Sequence, residues 1–199
     1  MNRKMPGRAA LAVLVAVTLT ATAFAGKRLE GIPLVWKPTE RKGVGVVNVT
    51  GLTGVKIQIE PFVDTRADRA KFGENQEDKI PRPVTTSGSV AEFCTQNFGA
   101  TLKQYGLSVV TEGGDVVVAG EILEFMVTET NAYKGEVRLK ITVKRRGQTE
   151  WTGVASGTSS RWGRSYRAEN YYETISDSLL EAASNAARDE SFRKALAAN

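Results

Sequence analysis

Residues 136–144 (EVRLKITVK) alternate without a break. Val137, Leu139, Ile141 and Val143 hold one parity, and Glu136, Arg138, Lys140, Thr142 and Lys144 hold the other. A period of two puts apolar side chains on one side of a strand and polar ones on the other. A chain built around such a strand needs a sheet with one dry face and something to cover it.

Helical patterns flank the strand region. Ser89 suits an N-cap, with Glu92 three residues on as in a capping box. Val90, Phe93, Cys94, Phe98, Leu102 and Tyr105 then recur at steps of three and four, and Gly106 suits the C′ position. A second helix is expected over 169–188, with Tyr172, Ile175, Leu179, Ala182, Ala183 and Ala186 as its buried stripe. Asp189 can cap a short last helix anchored by Phe192 and Leu196.

Further strands are expected over 55–62 (VKIQIEPF), 107–110, 115–127 and 150–158. The run Val116-Val117-Val118 is dense enough to be buried on both faces, with an irregularity near Glu124. Trp151, Gly153, Ala155 and Gly157 fall on one face, small enough for another element to approach closely. Residues 128–135 read as a loop. Residues 67–89, polar and carrying Gly73, Pro81 and Pro83, read as a long loop of the functional or mobile kind. The expected fold is α+β: a mainly antiparallel twisted sheet of about five strands with two main helices packed on one face.

Residues 1–25 read as a secretory signal peptide. Arg3, Lys4 and Arg8 precede an apolar run over 9–20, and Ala23-Phe24-Ala25 supplies small residues for cleavage before Gly26. The run falls short of the ~20 residues that span a bilayer, although retention as an anchor is the alternative. Residues 26–54 read as an extended N-terminal arm and 55–199 as a single α+β domain. Removing the leader's three cations brings the formal charge of +5 down to about +2. That is too little for a nucleic-acid face.

The chain has no histidine and one cysteine, Cys94, on an apolar helical face. Histidine-based nucleophilic catalysis and the commonest zinc ligand are therefore excluded. Residues 43–54 (GVGVVNVTGLTG) are glycine-rich but lack the lysine a phosphate loop needs. No metal spacing is present, and no cofactor or catalytic residue is expected. The candidate contact residues are all for partners. Trp36 covers a core edge or meets a partner. Asp64 and Arg66, directly after the first strand, form a structural ion pair or a ligand contact. Arg161, Trp162, Arg164, Tyr166 and Arg167 form a basic and aromatic cluster suited to a protein, to a lipid headgroup or to ordinary loop structure.

The segment VKIQIEPFVDTR (55–66), the helix ending in Tyr105-Gly106, the run DVVVAGEI (115–122), Trp151-x-Gly153 with Gly157, and the last long helix from Tyr172 carry a resemblance. Over roughly residues 55–196 the chain resembles the YajG-type bacterial envelope lipoproteins and, more distantly, the auxiliary lipoproteins of envelope ABC transporters. The resemblance implies an α+β fold and a non-enzymatic envelope role. It departs from the family in one respect: no cysteine stands near Ala25 to be acylated. The expected protein is an exported, periplasmic, non-catalytic accessory or scaffolding protein with an envelope protein partner, associated with the outer membrane through that partner. A periplasmic carrier for a lipid or other amphiphile is the alternative.

Overall fold

The computed structural model of the chain describes residues 28–39 and 47–197. The signal-peptide reading and the first residues of the glycine-rich segment lie outside the described residues.

The fold is α+β, but the expectation of a mainly antiparallel sheet of about five strands is overturned. Among the described residues one mixed sheet contains nine strands, with three helices. Its spine is β7 (Val116–Glu129), paired antiparallel along its length with β8 (Ala132–Arg145), which pairs in turn with β9 (Gln148–Trp162). On its other side β7 meets three short parallel strands end to end. These are β2 (Lys56–Ile59), β3 (Val63–Asp64) and β4 (Lys71–Asn75). β6 (Ser108–Val110) lies parallel beside β2. At the opposite end β5 (Arg82–Thr86) pairs antiparallel with β4, and β1 (Leu29–Ile32) runs parallel to β5.

The hidden strands explain the miscount. β4 and β5 lie inside the segment read as a long polar loop. Strands of five residues or fewer, rich in charge and proline, show too few alternations to be seen. Residues 128–135 are likewise strand rather than loop: only Thr130 and Asn131 separate β7 from β8. The parity of β7 shifts at the bulge between Ile122 and Glu124. Val116, Val118, Gly120 and Ile122 are buried before it, and Phe125, Val127 and Glu129 after it. The extra residue keeps one face dry along a strand whose alternation breaks. Val117 is only half-buried, because no helix among the described residues covers the second face.

All three helices pack on the dry face. α1 (Val90–Gln104) starts where Ser89 Oγ accepts the Glu92 N–H at 3.1 Å. It ends in a Schellman turn: Leu107 N–H donates to Leu102 O, Gly106 N–H donates to Lys103 O, and Gly106 has φ +85°. α2 (Ala168–Arg188) crosses β9, β8 and β7. Its backbone at Ser178 and Ala182 sits directly on Gly157, where a β-carbon would collide with main chain. α3 (Glu190–Ala197) sets Phe192 edge-on to Trp151, with centroids 5.4 Å apart. Phe98, Phe125, Val137, Leu139, Ile141, Ile175 and Leu179 are fully buried between the layers. α2 also caps the free edge of β9: Glu181 accepts from the Thr158 N–H, and the Asn185 amide donates to Ser156 O at 2.8 Å. Unpaired edge groups are templates for aggregation, so this capping protects the middle of a 15-residue edge strand.

Candidate functional site

The side chains best suited to chemistry are committed inside the protein. Asp64 closes β3, and Arg66 folds back on it with Nε and Nη2 at 2.9 and 2.7 Å from the two carboxylate oxygens. The remaining guanidinium hydrogens go to Lys71 O, Phe125 O and Arg69 O. Both side chains are only 8% exposed. All five donors of the arginine are used, so the pair pins the β3–β4 corner to β7. Cys94 is fully buried, and burial pushes its thiol far above the usual range.

Glu129, the last residue of β7, is fully buried. Its Oε1 accepts the Ser165 and Tyr166 N–H groups at 3.0 and 2.9 Å, and its Oε2 accepts the Tyr171 hydroxyl at 2.8 Å. Tyr166 has φ +43°, which turns two successive N–H groups toward one oxygen. Burial alone would raise this carboxyl. Hydrogen bonds from Tyr133, Asn75, Tyr166 and Ser165 together outweigh it and hold the group below its ordinary range. Tyr171 is driven up by burial and by Glu129. Glu129 thus fastens the linker over 163–167 to the end of the sheet. The bulge at Glu124 hid it from sequence reasoning, since it moved Glu129 onto the apolar parity.

The basic and aromatic cluster divides. Arg161 points back to Glu173 on α2. Tyr166 is buried, its hydroxyl donating to Pro83 O at 3.3 Å. Arg164 meets Glu77 at 3.4 Å and stays largely exposed. Arg167 is exposed just ahead of α2, and Trp162 is 85% exposed. Trp36 lies apart from the cluster, edge-on to Phe93 with centroids 5.9 Å apart. Around it the arm is strapped to α2. The Lys37 N–H donates to Ser176 Oγ, Lys37 Nζ lies 2.8 Å from Glu173, and Thr39 donates twice to Asp177. Leu29, Val47 and Leu52 are buried in the core.

The outer face of β7–β9 is accessible. Glu124, Met126, Thr128, Lys134, Glu136, Thr158 and Ser160 line an open trough of about 670 Å³. Val154, 54% exposed, stands on the same face of β9 as Trp162. Among the described residues no cluster of potential metal ligands gathers, and no helix is long and apolar enough to cross a membrane.

No protein-family model matches the chain, and no curated protein does. Solved structures are similar in fold. A Xanthomonas campestris protein of the DUF330 family aligns with TM-score 0.50 at 7% identity, covering 78% of this chain and 87% of that one. PelC from Paraburkholderia phytofirmans, solved as a dodecamer, aligns with TM-score 0.37 at 12% identity over 76% of this chain and 92% of that one. Lipoprotein GNA1162 from Neisseria meningitidis aligns with TM-score 0.34 at 14% identity over 56% of this chain and 88% of that one. The first likeness shows the fold alone. The class this defines is a mixed-sheet α+β fold found in a DUF330 protein.

Proposed function

We propose that the protein is a non-catalytic, exported accessory module of the bacterial envelope, of the YajG-type lipoprotein kind without the acylated cysteine, and that it docks an envelope protein on the open face of its sheet. The observation that carries this reading is the one-sided sheet. Three helices cover one face, while the other presents a trough with Met126 at its floor and Val154 and Trp162 along β9. A broad polar surface with a few apolar anchors is the composition of a protein interface. Asp64, Glu129 and Cys94 are occupied by the fold, which speaks against a hydrolytic site. The carrier alternative needs an apolar chamber between helices and sheet, and Phe93, Phe98, Phe125 and Leu179 fill that space.

A photoreactive amino acid placed at Met126, Val154 or Thr158 in the exporting cell should give one discrete protein adduct. The same group at Gln96, exposed on α1, should give none. Equal labelling from both faces, or no adduct from the open face, refutes the docking site. Recovery of the protein from the cytoplasmic fraction refutes the export reading.

A further inference from the structure

Three observations converge on one end of the sheet. β4, β7 and β9 all finish there, at Asn75, Glu129 and Trp162, and β5 and β8 begin there. Trp162 is 85% exposed and Ile80, at the tip of the β4–β5 hairpin, is 79% exposed. They are the two most exposed large hydrophobic residues among the described residues. The Arg164–Glu77 ion pair ties the linker that follows Trp162 to the loop that carries Ile80. The two tips are single projections on separate elements, with charged groups between them, and do not form a continuous apolar interface.

The charges at this end are the second observation. Glu77 is met by Arg164, Asp78 by Arg82 at 3.2 Å, and Glu30 by Arg28 at 3.8 Å. Lys79, Lys134 and Arg167 are exposed and have no ion-pair partner among the described residues, against two exposed unpaired acids, Glu136 and Glu169. Arg82 is held over the Tyr166 ring at 4.3 Å, and Arg161 is turned back to Glu173. The balance exposed to a partner is positive.

The third observation is where the chain enters. β1 is parallel to β5, with Leu29 aligned to Val84, and the Leu29 N–H donates to the Tyr166 hydroxyl at 3.3 Å. Arg28 therefore stands at this same end, and the apolar run over 9–20 joins the fold here. The eight residues from Thr20 to Arg28 reach at most about 28 Å when extended. With that run retained in a bilayer, this end is the one held against the surface.

We propose that this end of the sheet docks on an anionic lipid surface, with Trp162 and Ile80 entering the headgroup layer and Lys79, Lys134 and Arg167 meeting lipid phosphates. An indole with its polar N–H suits that boundary, and basic groups near an anionic surface add attraction that salt screens. The docking takes Trp162 and Lys134 from the rim of the open face of β7–β9 and does not use Met126, Val154 or Thr158, so vesicle binding tests this proposal and crosslinking from those three positions tests the other.

The test uses the full chain as recovered from the envelope fraction, with vesicles of phosphatidylglycerol and phosphatidylethanolamine carrying brominated acyl chains. Trp36 and Trp151 are partly buried, so quenching on binding should come from Trp162 and disappear in Trp162→Phe. Removing charge in Lys79→Ser and Arg167→Ser should lower binding to anionic vesicles by about fivefold per charge, with binding to phosphatidylcholine vesicles unchanged. Ile80→Ser should lower binding about tenfold. Circular dichroism and urea midpoints at wild-type values show that these tip variants are folded. If Trp162 stays unquenched on bound vesicles, or quenching survives in Trp162→Phe, the proposal is overturned. It is overturned equally if the tip variants bind lipid like wild type but lose a crosslinked protein, because the patch is then a protein interface.

Discussion

Glu129 is the side chain whose loss should be felt most clearly, because it receives hydrogen bonds from two backbone N–H groups and from Tyr171, with Tyr133 and Asn75 adding to them. In Glu129→Gln one carboxylate oxygen becomes an amide that donates where it previously accepted. Hydrogen bonds to a charged group contribute about 1.5–3 kcal/mol each, and an unsatisfied buried donor costs about 1–3 kcal/mol. Keeping the Ser165 and Tyr166 contacts on the remaining oxygen and losing the charged contact to Tyr171 predicts a loss of about 3 kcal/mol. Glu129→Ala, which strands every donor and leaves a void, should approach 5 kcal/mol. The sign with pH follows from the carboxyl being depressed in the fold. An unfolded glutamate titrates near 4.3, so the wild-type advantage over Glu129→Gln should be complete above about pH 5 and shrink as pH falls through the lower folded value. Urea unfolding of both chains across that range measures it, and hydrogen exchange should show the Ser165 and Tyr166 amides losing protection first. A loss under 1 kcal/mol, or a difference that ignores pH, would refute the view of Glu129 as the fastener of the linker.

Arg66→Ala should cost about 3–5 kcal/mol, since it leaves Asp64 buried without its counter-charge, and the urea midpoint reads it. Gly157→Val should destabilise by about 3 kcal/mol or more, because the added side chain meets α2 backbone instead of a flexible neighbour; a thermal melt unchanged from wild type would contradict the close packing. The Cys94 thiol should resist Ellman's reagent in the native protein at pH 8 and react at once in denaturant, because burial raises it and closes access. Gly106→Ala should cost about 1 kcal/mol through its left-handed φ alone, measurable as a small shift in the same melt.

The helices and the long strands were legible in the sequence because each carries several turns or alternations of one period. Ser89 and Gly106 marked the two ends of α1, and the run from Val137 to Val143 set the dry face of β8. The small residue at Gly157 announced the close approach that α2 makes, while Gly153 leaves room for the Trp151 ring. β3, β4 and β5 carried no such signal: their order comes from pairing with β7 and with each other, a non-local contact that a charged, proline-bearing segment does not reveal. The same reason separates the candidate contact residues. Sequence proximity grouped 161–167 as one cluster, but a strand end, a left-handed residue at Tyr166 and a helix start send its members in different directions. Tyr166 goes inward, Arg161 turns back to α2, and Trp162 stays in water. Local composition determined that there would be one sheet, a covered face and no histidine-based chemistry. Only the tertiary structure decided which face stayed open, that Glu129 would be buried, and that Ile80, Trp162 and the start of β1 would share one end, because these follow from how distant segments pair.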